Sequence, residues 1–218
     1  MNTKKLAIGG ILILVVAAFL FGMSFYRQQA QGAQDQTVRA EQSRLVRMHS
    51  PVIGPYDAPV TIVEFLDPAC ETCRAFYPIV KDLMAKYPDD VRLVIRYAPF
   101  HQGSDQVVVL LAAAKRQGKY LPVLDAVMQS QPTWADHGSP NPSLTLGIAK
   151  AAGLDLERAQ EDMTRPEMQT FLAQEVEDLK ALKVSRTPTF FVNGRSLPSF
   201  GPDQLAALVA EEVAKAKR

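Results

Sequence analysis

The longest apolar stretch of the chain lies close to its N-terminus. Residues 6–26, LAIGGILILVVAAFLFGMSFY, carry no charge, and as a helix they would span about 31 Å, the thickness of a bilayer's hydrocarbon core. Lys4 and Lys5 precede the stretch, so the positive-inside rule predicts that residues 1–5 are cytoplasmic and that the chain beyond residue 26 is exported. The alternative is a cleaved signal peptide, whose apolar region is usually shorter. We predict an uncleaved transmembrane signal-anchor over residues 6–26.

The next segment changes in composition. Residues 27–44 are rich in Gln and Ala, with few large apolar residues, which predicts a stalk between the membrane and a folded domain. The domain itself is expected over residues 45–218, and roughly 170 residues suffice for a single hydrophobic core. Its first residues, 44–50 (RLVRMHS), suggest a short edge strand.

Two strands flanking a helix begin the domain. Residues 59–66, PVTIVEFL, are almost wholly apolar, which is typical of a strand buried on both faces. Asp67 and Pro68 end this strand, and apolar residues then recur at helical spacing as far as about Tyr87. Residues 91–97, VRLVIRY, alternate as a second strand does.

The rest of the pattern is helical except for one hairpin. Amphipathic segments fill the region from about 103 to 183, which we interpret as a helical insertion. Asn193 and Gly194 lie between two short β-rich runs, and this dipeptide is a strong hairpin signal. A closing helix is expected over residues 202–217. The order β-α-β, helical block, β-hairpin and helix predicts an α/β fold.

Charge and composition narrow the function. The net charge is +1, which does not favour a nucleic-acid partner. The three histidines, at positions 49, 101 and 137, are not spaced as metal ligands. The chain has only two cysteines, Cys70 and Cys73, and they lie within four residues of each other.

This pair carries the candidate chemistry. The sequence Cys70-Glu71-Thr72-Cys73 places two thiols one turn apart at the start of a helix, where unpaired N–H groups and the helix dipole favour a thiolate. We therefore predict an exposed, acidic Cys70 that attacks disulfides, with Cys73 as the resolving thiol. A zinc site would need about four ligands, and a purely structural disulfide would close too small a loop to stabilise the fold much.

The region from about residue 45 to the end resembles the DsbA-like branch of the thioredoxin superfamily. The resemblance rests on GPYDAPVTIVEF before the cysteines, on Phe100-His101 and Gln117-Gly118-Lys119-Tyr120, and on TPTFFVNG at residues 187–194. It implies a thioredoxin fold interrupted by a helical insertion. It also implies that Pro188 is cis and lies beside the cysteines, that Thr187 offers backbone groups to a bound peptide, and that Glu64 is a buried acid that shuttles the proton of Cys73.

The resemblance implies a thiol–disulfide oxidoreductase, and the apolar segment predicts that it lies in the bacterial cytoplasmic membrane with its catalytic domain on the periplasmic side. We expect exported cysteine-containing proteins as substrates, a quinone-linked oxidase or an electron carrier in the membrane as redox partner, a monomer, and no cofactor besides the Cys70–Cys73 disulfide. Glu71 and Thr72 replace the Pro-His or Pro-Tyr of strongly oxidising members, and Asp67 stands where an aromatic is common, so we predict a weaker oxidant. Reductase or isomerase activity and copper(I) transport, with His101 as a third ligand, are the alternatives.

Overall fold

A computed structural model describes residues 3–136 and 138–218, with side chains from residue 11 onward. His137, the first two residues and the side chains of Lys4 and Lys5 lie outside the described part. The predicted cytoplasmic position of residues 1–5 therefore stays a prediction.

The described residues form five strands, nine α-helices and one short 3-10 helix. The strands are β1 (Val52–Ile53), β2 (Val60–Leu66), β3 (Val91–Tyr97), β4 (Thr189–Val192) and β5 (Arg195–Ser196). The helices are α1 (Thr3–Ala40), α2 (Glu71–Lys86), α3 (Ser104–Arg116), α4 (Tyr120–Gln129), α5 (Gln131–Trp134), α6 (Leu144–Ala151), α7 (Leu156–Met163), α8 (Pro166–Ala181) and α9 (Pro202–Ala216), and the 3-10 turn is Gln42–Arg44.

The strands form one mixed sheet in the order β1-β3-β2-β4-β5. Strand β2 lies at its centre, parallel to β3 and antiparallel to β4. Asn193 and Gly194 connect β4 to β5 with φ angles of 48° and 78°, as a two-residue turn with two positive φ values requires. The sheet flanked by helices, with α3 to α8 inserted between β3 and β4, is a thioredoxin-like α/β fold.

The edge strand does not lie where the sequence suggested. Residues 44–50 end the 3-10 turn and continue as turns, and the strand that pairs with β3 is Val52–Ile53. The displaced segment has another role, because Arg47 and His49 bind the buried carboxylates of Asp178 and Glu175 on α8. The polar side chains of this segment bind carboxylates of α8 instead of lining a sheet edge, and the strand prediction for residues 44–50 is wrong.

Alternate residues of β2 face two different cores. Ile62 and Leu66 belong to the larger core beneath α2, α9 and the insertion, while Val63 and Phe65 face a smaller core with Val38 and parts of α8. Because side chains alternate along a strand, Glu64 faces the larger core with Ile62 and Leu66. The strand therefore carries an acid into the interior directly below the cysteine-bearing helix.

The predicted stalk is helical and partly packed. Helix α1 continues without interruption from the apolar segment to Ala40, and the side chain of Asp35 accepts hydrogen bonds from the backbone N and Oγ of Ser196. Gln34 donates to the carbonyl of Leu182 at 2.8 Å, and Val38 is fully buried. Side-chain hydrogen bonds and one buried valine thus attach the second half of the predicted stalk, residues 27–44, to the domain.

Candidate active site

The two cysteines lie where the central strand meets the first helix of the domain. Strand β2 ends at Leu66, a three-residue loop follows, and Cys70 precedes the first residue of α2 with an extended backbone (φ −77°, ψ 120°). Both cysteines are free thiols. Cys70 therefore occupies the helix N-cap, next to the N–H groups of the first turn of α2 that have no partner within the helix.

Cys70 is the acidic member of the pair. The pKa of Cys70 is lowered to about 5, and the largest cause is a hydrogen bond from the Cys73 thiol. Hydrogen bonds from Thr187 and from the N–H groups of Cys73 and Thr72 act in the same direction, whereas burial opposes them. Only 6% of the residue is accessible, so the expectation of an exposed Cys70 is corrected to a largely buried residue. A thiolate at neutral pH follows from this arrangement.

The acidity of Cys73 is shifted in the opposite direction from that of Cys70. It is fully buried, and burial, the hydrogen bond to Cys70 and the charge of Glu64 together raise its pKa far above the ordinary thiol range. The one contact that opposes this shift is a long hydrogen bond from the backbone N–H of Asp67, at 3.5 Å. The fold thus separates two identical groups into a thiolate and a protonated thiol.

Glu64 lies in the interior among apolar side chains. It has no accessible surface, and no described protein group donates a hydrogen bond to either carboxylate oxygen. Burial, with a smaller effect from the charge of Cys70, raises the pKa of Glu64 to about 8. An acid with this pKa exchanges protons near neutral pH, and its charge raises the pKa of Cys73.

The proline loop lies directly beside Cys70. The Thr187–Pro188 peptide bond is cis, and the Cys70 sulfur lies 3.5 Å from the carbonyl oxygen of Thr187. Pro188 is buried, whereas Thr187 is partly accessible. The structure therefore brings Thr187 and Pro188 together with Cys70, Cys73 and Glu64, five residues singled out in the sequence.

Asp67 holds the neighbouring loop, which the sequence did not reveal. Its buried carboxylate accepts hydrogen bonds from the backbone N–H groups of Ala69, Phe100 and His101, from Ser104 Oγ, and from the His101 ring at 2.7 Å. These partners lie up to 37 positions away in the chain. The Asp67 side chain therefore connects residues 67–70, here called the cysteine loop, to the start of the insertion.

Trp134 and His101 have structural contacts. Trp134 is buried, and its Nε1 donates to the carbonyl of Val127, so it is a packing residue. His101 Nδ1 is engaged with Asp67. Among the described residues no group of three or more His, Cys, Asp and Glu side chains is arranged to hold a metal ion.

Comparison with known proteins places this site in a family. The profile of the Thioredoxin family matches residues 47–211. A thioredoxin-like oxidoreductase from Silicibacter pomeroyi superposes with a TM-score of 0.66 at 34% identity, over 78% of this chain and 94% of that one. A linker-deletion variant of ScsC from Proteus mirabilis superposes with a TM-score of 0.73 at 21% identity, over 95% of each chain, and shows the shared fold.

Curated relatives are longer proteins. The Na(+)/H(+) antiporter NhaA of Herminiimonas arsenicoxydans is 32% identical over 196 residues, which are 86% of this chain and 30% of the antiporter. The chain thus spans about a third of the length of the curated relatives it matches. The similarity covers only one part of those proteins, so it does not assign antiport activity to this chain.

Proposed function

This chain belongs to the thioredoxin family, and from this we propose that it is a membrane-anchored, DsbA-like thiol–disulfide oxidoreductase that exchanges disulfides with exported proteins through Cys70 and Cys73. The observation that carries the proposal is the opposite acidity of the two sulfurs, one with a pKa near 5 and the other far above the usual range. Thiol–disulfide exchange needs this combination, because the attacking or leaving sulfur must be a thiolate while the resolving sulfur stays protonated until it is required.

The proposed reaction in the oxidising direction begins with the Cys70–Cys73 disulfide. A substrate thiolate attacks the Cys70 sulfur, the disulfide bond breaks, and Cys73 leaves as a thiolate. A second substrate thiolate then attacks the substrate's own sulfur in the mixed disulfide and releases Cys70 as a thiolate. The substrate loses two electrons and two protons, and the cysteine pair gains the electrons, so no further cofactor is needed.

Glu64 supplies the proton that the buried sulfur needs. With a pKa of about 8, Glu64 is largely protonated at neutral pH and can give its proton to the departing Cys73. In the reverse direction the carboxylate accepts the proton again as Cys73 attacks. The proline loop contributes the binding step, since the partly accessible backbone of Thr187 beside Cys70 can pair with an extended substrate segment.

The acidity of Cys70 favours a disulfide donor of moderate strength. A thiolate that is stable at neutral pH stabilises the reduced form and makes the pair oxidising. Its pKa of about 5 lies above the value of about 3.5 of the strongest oxidant of this kind. We therefore propose net oxidation of substrates, with re-oxidation by a quinone-linked partner in the membrane, and reduction as the alternative direction.

The N-terminal helix supports a position at the membrane surface. Residues Ile11–Ala40 contain a window apolar enough to cross a bilayer, and none of that window is buried against the domain. The docked part of α1 begins at Gln31, which donates to the carbonyl of Ser196. Gln31 lies five residues beyond the end of the apolar stretch, about 7.5 Å along a helix. The catalytic domain would then lie close to the outer surface of the cytoplasmic membrane, as a monomer within reach of a membrane partner.

Incubating the oxidised full-length chain, in detergent, with a reduced unfolded protein tests the proposal. We expect a disulfide to appear in the substrate as two thiols appear in the enzyme. Cys70→Ser must abolish the transfer, and transfer that survives this replacement would refute the proposal. Thiol trapping in intact cells then gives the direction, because a disulfide donor is held mainly oxidised and a reductase mainly reduced.

A further inference from the structure

Gln131 is a buried polar side chain at the boundary between the insertion and the cysteine loop. It is the first residue of α5, only 1% of it is accessible, and its side chain reaches a segment more than 60 positions earlier in the chain. Burial of an amide is unfavourable unless its hydrogen bonds are made. The hydrogen bonds that compensate this burial therefore show which part of the fold the Gln131 side chain holds in place.

The amide of Gln131 binds the cysteine loop at three points. Its Nε2 donates to the carbonyl oxygen of Pro68 at 2.7 Å and to that of Cys70 at 2.9 Å. Its Oε1 accepts a hydrogen bond from Arg74 Nε at 3.1 Å. Both protons of the amide and one of its two acceptor positions are thus used on the loop and the first turn of α2.

The platform behind Gln131 is rigid. Trp134, three residues later, is buried and hydrogen-bonded to the carbonyl of Val127 on α4. The short helix α5 is therefore fixed to the insertion, and the amide of Gln131 holds the loop against it. Among the described residues, the other hydrogen-bond donor to the Cys70 carbonyl is the helical N–H of Arg74, and no strand residue donates to it.

We propose that Gln131 is a positioning residue through which the helical insertion sets the acidity of Cys70, and with it the reduction potential of the cysteine pair. The Cys70 carbonyl belongs to the same peptide unit as the first N–H of α2, so holding this carbonyl fixes the direction of the helix start. The direction of the helix start determines where the N–H groups of Thr72 and Cys73 point, and these groups stabilise the Cys70 thiolate. The proposal rests on the disulfide-exchange function and names the residue that tunes it.

Gln131→Met tests the proposal, because methionine keeps the shape of the side chain and removes the amide. We expect the pKa of Cys70 in the full-length reduced chain to rise by about one unit, since the loss of ordered hydrogen bonds has roughly that effect. The reduction potential is expected to become more negative, because a less stable thiolate favours the disulfide. Both quantities report on the sulfur rather than on folding alone.

Gln117→Met is the matched control. Gln117 lies in the same insertion and makes two hydrogen bonds to the backbone of Asp155, away from the cysteine loop. Its replacement removes a comparable number of bonds and should leave the Cys70 pKa within about 0.3 unit, inside the scatter that independent sites show.

An unshifted Cys70 pKa in a folded Gln131→Met chain, or an equal shift in Gln117→Met, would overturn the inference. If the methionine variant does not fold, Gln131→Asn keeps an amide that is one methylene too short, and an unshifted pKa there is equally decisive. The wild-type titration separates the two proposals: an ordinary pKa in the unmodified chain refutes the exchange function, whereas a low pKa that Gln131 does not influence refutes only the tuning.

Discussion

Replacing Glu64 by glutamine should remove a loss of stability that grows as the pH rises toward 8, although the residue is placed for catalysis. Glutamine has nearly the same shape but no charge. Glu64 is fully buried without a described hydrogen-bond donor to its oxygens, and burial raises its pKa to about 8 from an ordinary value of 4.5. The folded chain therefore resists an ionisation that the unfolded chain undergoes freely.

The magnitude follows from the two pKa values. Below about pH 4.5 the carboxyl is protonated in both states, and its titration contributes nothing to the free energy of unfolding. Between about pH 4.5 and 8 only the unfolded state loses the proton, so stability falls by about 1.4 kcal/mol per pH unit. At about pH 7 the accumulated loss is about 3 kcal/mol, and above about pH 8 it levels off near 5 kcal/mol. Glutamine does not titrate and avoids this loss.

Urea unfolding of the oxidised full-length chain, followed from about pH 4 to pH 8, measures the effect without titration of the cysteines. The amide has its own unmet hydrogen bonds, which add a constant offset, so the test is the slope of the difference between wild type and Glu64→Gln. Glu161→Gln, at an exposed position of α7, should change stability by less than about 0.5 kcal/mol. Parallel pH profiles for wild type and Glu64→Gln would refute the assignment of a neutral buried acid.

Two further predictions concern the resolving thiol and the ion network under α8. Cys73→Ser should leave Cys70 able to attack but unable to be released, so covalent complexes with substrate should accumulate on a non-reducing gel; their absence would contradict the assigned roles. Glu175→Gln should lower the free energy of unfolding by about 3–5 kcal/mol, because it leaves the fully buried guanidinium of Arg96 with one carboxylate partner instead of two. Glu177→Gln, whose carboxylate is 63% exposed, should cost less than about 1 kcal/mol, and equal losses in denaturant titrations would disprove a special role for the buried pair.

The elements around the site could be predicted because their signals are local. The apolar run of β2, the helix start after Asp67 and the Asn193-Gly194 turn are each encoded within a few consecutive residues. The cysteine pair is equally local, since its spacing and its place at a helix start suffice to indicate redox chemistry. The position of Glu64 in the interior follows from strand alternation once β2 is recognised.

The parts that the sequence did not reveal depend on partners far away in the chain. Residues 44–50 resemble a strand, yet their arginine and histidine side chains bind carboxylates more than 120 positions later. Gln131 begins a Pro-rich segment that is typical of a loop, and no local signal indicates its contacts with Pro68 and Cys70. Arg96 lies in an alternating strand pattern that suggests an exposed side chain, whereas its buried position depends on the carboxylates of α8. Only the folded arrangement joins these groups.

Titration of the Cys70 thiolate in the reduced full-length chain tests the central claim most directly. The ultraviolet absorbance of the thiolate, measured against Cys70→Ser across the acidic and neutral range, should show an inflection near pH 5. A parallel rise in the rate of alkylation of this one sulfur would assign the inflection. An inflection near the ordinary thiol value of 9.0, or a sulfur that no reagent reaches in the folded protein, would contradict the account.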